Sequence, residues 1–404
     1  MNARIPIKLI VLLILSPAIL FAQKTERQIG DTTYYKTLIP ETKQTLLRNM
    51  SMIANMNFAF RNEFVDGKYT GSRFRNEQFR LEFRGKVTDK VFFRFRDRYT
   101  RAQTSESVDN LSRSVDLAFI RVDVSDKFSI SGGKMCADWG AWEFDWNPID
   151  IYEYSDIVEY ADNFLTGVGF TYTPSKKNQW TFQVLDSRTK TFTELYGTQP
   201  NFTESKAPLA FVSNWRGVLA DGKINTIWSY SFFNEAQKTS GGSANMNYIA
   251  LGTEFIVSKK FTFIYDFKWS DEDLDRTTIV SQTIPDAIYP YSVANTQYIG
   301  HWTHFRYRMS EKVNLTLIAM LDIARWKNAG QDAANTTGET HIRNAYGFIP
   351  AVEYYPWKDL NMKFFVNYIG RVYDYSDYAK QRFGAADYST GRFTIGFISP
   401  LQIF

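Results

Sequence analysis

The sequence lacks several features on which other protein classes depend. It has a single cysteine, Cys136, among 404 residues, so it forms no intramolecular disulfide and holds no cysteine-based metal cluster. We expect Cys136 to be a small buried residue. After residues 1–22, no continuous apolar stretch reaches the roughly 20 residues that a membrane-spanning helix needs. An inner-membrane helical protein is therefore excluded.

Histidine is also scarce, and its positions do not suit catalysis. The three histidines are His301, His304 and His341. The first two are three residues apart in a predicted strand and so face opposite sides. The sequence has no H-E-x-x-H zinc motif and no serine-glycine nucleophile pattern after a histidine. We therefore expect no enzymatic activity, no metal site and no cofactor.

Aromatic residues, in contrast, are abundant and regularly placed. They make up 17% of the chain, with 33 Phe, 24 Tyr and 10 Trp. Between Gln78 and Tyr99, two runs joined by a turn alternate apolar with charged residues: Phe79, Leu81, Phe83, Val91, Phe93 and Phe95 against Arg80, Glu82, Arg84, Arg94, Arg96 and Arg98. Successive strand residues point to opposite faces. A soluble sheet would need a core to cover the apolar face, whereas in a transmembrane barrel that face meets lipid and the charged face lines water.

The same period of two recurs from residue 51 to the C-terminus and predicts about sixteen strands. The predicted strands are 50–64, 71–86, 90–102, 113–125, 127–138, 164–174, 178–188, 206–220, 222–236, 244–257, 260–271, 295–308, 312–326, 339–355, 360–374 and 389–404. Short turns alternate with mostly long connections, as in barrels with short periplasmic turns and long outer loops. The sequence therefore predicts an all-β, antiparallel, up-and-down transmembrane β-barrel. We leave open which faces 113–138 and 295–308 present.

The N-terminal region predicts export across the inner membrane. Residues 1–22 have a basic start with Arg4 and Lys8, an apolar stretch over 9–21 and a small residue, Ala22, before the expected cleavage. We expect 1–22 to be a cleaved signal peptide, 23–49 a periplasmic segment and 50–404 the barrel. The predicted location is the outer membrane of a Gram-negative cell.

Basic residues are concentrated on the predicted lumen face of the first three strands. That face carries Glu63 and Glu82 against six cations: Arg61, Arg80, Arg84, Arg94, Arg96 and Arg98. Guanidinium groups stay ionised and present forked donors that suit phosphate and carboxylate. In a narrow aqueous lumen they would attract anions and repel cations. The alternative is a cross-strand salt-bridge network without a role in transport.

The third long loop, 138–164, is acidic and contains no Lys or Arg. Its acids are Asp138, Glu143, Asp145, Asp150, Glu153, Asp156, Glu159 and Asp162, and they are interleaved with eight aromatic residues. Because so many aromatics do not suit a solvated loop, we expect it to fold inward against the barrel wall, with its acids facing the arginines. The loop would then constrict the pore and create a transverse field. A solvated loop is one alternative, and calcium binding by Asp145, Asn147 and Asp150 is another.

This loop region carries a family resemblance. The segments Gly133–Gly140, Asn147–Asp150 and Asp162–Gly167 resemble Bacteroidota porins of the phosphate-selective porin O and P family. The resemblance implies a sixteen-stranded trimeric channel with a constricting third loop and a cationic lumen. Phosphate selectivity does not carry over, because the acidic loop would oppose tight phosphate binding.

The sequence thus predicts an outer-membrane porin for passive diffusion of small solutes, with a preference for anions that could include phosphate. The expected partners are outer-membrane lipids, small anionic solutes and identical subunits in a homotrimer; nucleic acid is not expected. The alternative is a barrel that serves as a structural or partner-binding component, because a barrel fold does not fix its function.

Overall fold

The structure is a computed structural model and describes residues 49–101, 108–332, 335 and 337–404. The predicted signal peptide (1–22) and the predicted periplasmic segment (23–49), apart from Asn49, lie outside the described residues. The predicted barrel, 50–404, lies almost wholly within them.

The described chain is built mainly from long strands with few helices. The strands are β1 (Met50–Val65), β2 (Lys68–Thr88), β3 (Val91–Arg98), β4 (Val115–Ser125), β5 (Phe128–Cys136), β6 (Phe164–Ser175), β7 (Asn178–Asp186), β8 (Phe202–Glu204), β9 (Leu209–Leu219), β10 (Ile224–Lys238), β11 (Ser243–Ile256), β12 (Phe261–Leu274), β13 (Ala294–Arg308), β14 (Val313–Trp326), β15 (His341–Tyr354), β16 (Lys363–Tyr375) and β17 (Tyr388–Gln402). All sixteen predicted strands are present. The short β8 was predicted as loop.

The strands form one closed antiparallel barrel. Each long strand pairs with the next along the chain, except that β7 pairs with β9, and β8 pairs only with the end of β10. The barrel closes where β1 pairs with both β17 and β2. Closure leaves no long strand edge exposed, which a sheet inside a bilayer requires.

Side chains alternate between the two faces of the wall as the sequence predicts. Along β12, Thr262, Asp266 and Lys268 are buried inside, whereas the intervening aromatic residues are only partly covered. On β13, whose facing was left open, His304 is buried on the inside and His301 lies on the other face. The outer face therefore carries a continuous apolar surface suited to lipid.

The connections place short turns at one rim and the longer loops at the other. The turns include 89–90, 126–127 and 176–177, and the longer loops include 137–163 and 275–293. The long-loop rim also has two short connections, 66–67 and 239–242. Several loops contain short helices or turns: Trp142–Asp145, Pro148–Asp150, Asp156–Glu159, Phe192–Tyr196, Ile279–Thr283, Lys327–Gln331 and Asp377–Phe383, while Ala220–Gly222 forms one of the tight turns. No helix in the described part of the chain has both the length and the apolar character needed to span a membrane.

Candidate solute channel

A cavity of about 740 Å³ lies between the first three strands, the 137–163 loop and strands β16 and β17. Five of the six predicted arginines line it: Arg61, Arg80, Arg94, Arg96 and Arg98. We call Arg80, Arg84, Arg94, Arg96 and Arg98 the arginine wall. Arg61 is set apart from it, because Arg61 pairs with Glu77 and, at 3.5 Å, with Glu63.

One carboxylate that organises the arginine wall belongs to Glu82, which is buried on the inner face of β2. Arg94 donates two parallel hydrogen bonds to its two carboxylate oxygens, both at 3.0 Å. Arg84 and Arg96 each lie 3.7 Å from the same carboxylate. The forked geometry fixes the orientation of Arg94 as well as its position.

The second carboxylate that organises the arginine wall belongs to Asp116, which was not among the residues predicted to line the lumen. Its carboxylate is fully buried and lies 2.6 Å from Arg98, 3.2 Å from Arg80 and 3.4 Å from Arg96. The β3–β4 pairing shifts register at this point, between Arg96 and Asp97. A bulge of this kind re-aims a side chain, so strict alternation could not place Asp116.

The arginine wall is thus both a salt-bridge network and a site of excess positive charge. Five guanidinium groups share the two carboxylates of Glu82 and Asp116. The alternative of a purely structural network accounts for the geometry of these residues. The cations outnumber the carboxylates within this cluster, whereas the residues that line the whole cavity include as many acids as arginines.

The acids of the loop line the same cavity, but most of their ion pairs are made with bases of other strands. Asp138, Asp145, Glu153, Asp156, Glu159 and Asp162 are among the lining residues. Arg216 of β9 lies 2.7 Å from Asp145 and 3.6 Å from Asp138. Burial raises the pKa of Asp138 to about 6.

Glu143 forms the most deeply buried contact of the loop. Its carboxylate pairs with Lys268 of β12, and both side chains are fully buried. Ser155 donates from its backbone N–H at 2.6 Å and from its hydroxyl at 2.7 Å to the same carboxylate. The backbone N–H of Glu143 donates in turn to Asp266 at 2.7 Å. This network ties the two halves of the loop to the wall.

Three further acids pair with the last strands of the barrel. The pairs are Asp150 with Lys363 at 2.9 Å, Glu153 with Arg392 at 2.8 Å, and Asp156 with Arg343 and, at 3.0 Å, with Arg371. The expectation that the loop acids face the arginines of the first strands is therefore wrong in part. Local bases neutralise much of their charge, so the number of acids overstates the negative charge that the loop presents to the cavity.

Glu159 and Asp162 differ from the other loop acids. Asp162 accepts hydrogen bonds from the N–H and hydroxyl of Thr189, both at 2.6 Å. Glu159 has an exposed side chain at the cavity, and within the described residues its carboxylate forms no ion pair. Although its surface is open to the cavity, partial desolvation there raises the pKa of Glu159, and the charges of Glu153 and Glu143 raise it further.

Aromatic packing explains the unusual composition of the loop. Trp139 packs edge-on against Tyr248 with ring centroids 4.8 Å apart, and Trp146 packs edge-on against Trp302 at 5.6 Å. Backbone contacts accompany them: Ser229 donates to the Trp139 carbonyl at 2.6 Å. These rings anchor the loop to the barrel wall and bury apolar surface that would otherwise be exposed to water.

The proposed calcium ligands are engaged separately. Asp145 pairs with Arg216, Asn147 donates to Asn55 at 3.1 Å, and Asp150 pairs with Lys363. Across the described ranges, no group of three or more His, Cys, Asp or Glu side chains is placed to hold a metal ion. The loop therefore offers no basis for a calcium site.

Comparison with known proteins places the chain in a porin family. The sequence pattern of the phosphate-selective porin O and P family matches residues 54–398. The chain belongs to this family. The porin is thus an outer-membrane channel protein, as the resemblance in the loop region implied. No curated protein sequence matches the chain.

Solved structures show the same barrel fold at low sequence identity. The outer-membrane channel DcaP of Acinetobacter baumannii has a TM-score of 0.56 at 11% identity, covering 86% of this chain and 96% of that one. The anion-selective porin of Comamonas acidovorans has a TM-score of 0.53 at 8% identity, covering 87% and 98%. OmpT of Vibrio cholerae has a TM-score of 0.52 at 9% identity, covering 87% and 97%.

Proposed function

We propose that this porin lets small solutes diffuse passively across the outer membrane, with a weak preference for anions. The observation that carries the proposal is the arginine wall, where four guanidinium groups that line the cavity, together with Arg84, share two carboxylates. Surplus fixed positive charge in a narrow aqueous lumen enriches anions and depletes cations. The existing ion pairs hold the guanidinium groups in place and keep any one anion from binding tightly.

The 137–163 loop is the proposed constriction. Its contacts with β9, β12 and β15–β17 support an inward fold, because they join residues on the inner face of distant parts of the wall. A loop fixed at several points around the lumen narrows the path without closing it. The cavity between this loop and the arginine wall is the proposed solute path.

Phosphate is proposed as one permitted anion and not as a dedicated substrate. The family name supports phosphate passage. Against a dedicated site, the guanidinium groups of the arginine wall already donate to Glu82 and Asp116, and the loop adds Glu159 to the same cavity. Phosphate would therefore compete with carboxylates that are already in place.

The proposed assembly and targeting are those that the sequence predicts. We propose a homotrimer in the outer membrane of a Gram-negative bacterium of the Bacteroidota, exported with a cleaved signal peptide at 1–22. A structure of Vibrio cholerae OmpT in a trimer form, with a TM-score of 0.51 at 8% identity, supports the oligomeric state by similarity of fold.

The test is the single-channel conductance and reversal potential of the purified protein in a planar bilayer under a KCl gradient. We expect a stable conductance and a reversal potential that favours chloride. A preference for potassium would mean that the loop acids control selectivity, and would refute the role of the arginine wall. A folded protein without channel activity would refute the porin function in favour of a structural or partner-binding barrel.

A further inference from the structure

Charges of opposite sign line one cavity and are incompletely compensated. Three cavity-lining members of the arginine wall, Arg80, Arg96 and Arg98, already outnumber the carboxylates of Glu82 and Asp116. Glu159, carried by the 137–163 loop, lines the same cavity.

Glu159 is the loop acid best placed to act on a solute. The acids at 138, 143, 145, 150, 153 and 156 lie beside basic side chains, whereas Glu159 forms no ion pair within the described residues. Among the described cations, Arg98 of the arginine wall exerts an attractive electrostatic effect on it. The negative charge of Glu159 therefore faces the cavity and the opposing cations.

The position of Glu159 is fixed by the loop that carries it. It ends the short helix Asp156–Glu159, and its backbone N–H donates to Ser155 at 2.9 Å. The preceding residues Ile157 and Val158 are almost fully buried. Such anchoring keeps the carboxylate at the cavity surface and lowers the entropic cost of contacting a passing solute.

We propose that this cavity favours small zwitterionic solutes, such as amino acids and short peptides, over neutral solutes of the same size. The carboxylate of the solute would accept hydrogen bonds from Arg96 or Arg98, and its ammonium group would donate to Glu159. A neutral solute gains neither contact, and a simple anion gains the first but is repelled by Glu159. The inference deepens the proposed porin function and depends on it.

The test compares three solutes of similar size in vesicles that contain the purified protein: glycylglycine, which is zwitterionic, N-acetylglycinamide, which is neutral, and N-acetylglycinate, which is an anion. Efflux of each from preloaded vesicles is measured by mass spectrometry at neutral pH. We expect glycylglycine to leave about two- to fivefold faster than N-acetylglycinamide, the range that one exposed ion pair provides. In Glu159→Gln this advantage should fall, and efflux of N-acetylglycinate should rise.

The matched control is Glu311→Gln, which also removes one acidic charge. Glu311 is exposed on a short turn, where it pairs with Lys358 at 2.5 Å. Its efflux rates should equal those of the unmodified protein. An unchanged glycylglycine advantage in Glu159→Gln would overturn the zwitterion proposal.

The KCl reversal potential, recorded on the same preparations, separates the two proposals. If chloride is preferred but glycylglycine and N-acetylglycinamide leave at equal rates, the zwitterion proposal fails and the anion-preferring porin stands. If chloride is not preferred, the reversal potential itself refutes the proposed role of the arginine wall. Because Gln preserves the size of Glu, the heat-dependent gel mobility of the folded barrel should be the same in all variants.

Discussion

Replacing Arg94, Arg96 and Arg98 with Ala should remove most of the chloride preference. The variant keeps Arg80 within 3.2 Å of Asp116 and Arg84 within 3.7 Å of Glu82, so each buried carboxylate retains a cationic neighbour. The arginine wall then has equal numbers of cations and anions. We therefore expect the barrel to fold while its surplus charge disappears.

The size of the effect follows from Coulomb's law. One unit charge about 10 Å from the ion path in water contributes about 0.4 kcal/mol, and screening in about 0.1 M KCl reduces this to about 0.15 kcal/mol. Removing three such charges raises the energy barrier for chloride and lowers the barrier for potassium. Together the two changes amount to about 0.9 kcal/mol, so the chloride-to-potassium permeability ratio should fall about fivefold.

The assay is the reversal potential of the triple variant in a planar bilayer under a KCl gradient. The control replaces three exposed cations of the short turns, Lys177, Lys259 and Lys358, with Ala; this removes the same total charge away from the cavity. The control should behave like the unmodified protein. A triple arginine variant that keeps the original reversal potential would refute the assignment of selectivity to the arginine wall.

Three further predictions concern the loop. Deletion of Trp142–Ile157 should raise single-channel conductance, because it removes the proposed constriction; an unchanged conductance would place the loop outside the ion path. Lowering the pH from about 7 to about 5 should increase the chloride preference, because carboxyls with raised pKa values, Asp138 at about 6 and Glu159, lose their negative charge as the pH falls through those values. A reversal potential that moves toward potassium over this range would contradict that sign. Lys268→Met should destabilise the protein by about 3–5 kcal/mol in urea unfolding in detergent micelles, because it leaves Glu143 buried without its cation; a loss below about 1 kcal/mol would show that Ser155 and water compensate the carboxylate.

The strands were predictable because each one obeys a local rule. Period-two alternation is set by local backbone geometry and does not depend on distant parts of the chain. In β12 it holds from Phe261 to Leu274. The three residues of β8 follow the same rule but are too few to show a period-two alternation. Phe202–Glu204 are held extended by pairing with Ala236–Lys238 at the end of β10, which is a tertiary contact.

The candidate site was less predictable, because it depends on where alternation fails and on distant pairing. The bulge at Asp116 turns its carboxylate toward the arginines, and the sequence gives no sign of it. Lys363 and Arg371 were also missed, although both lie on the buried alternating set of β16 and could have been found by following that period. Which base pairs with which loop acid could not be read from the sequence, because it depends on the fold of the whole loop.

The long sequence separation of the loop contacts has a consequence for assembly. Asp156 and its partner Arg343 are 187 residues apart, and Glu153 and Arg392 are 239 apart, although the loop itself joins neighbouring strands early in the chain. Contacts of such range form only after the intervening chain is ordered. Asp150, Glu153 and Asp156 therefore remain hydrated until β15–β17 are in place. The proposed narrowing of the lumen would then be one of the last events of folding, and a barrel that fails to close would also fail to restrict the passage of solutes.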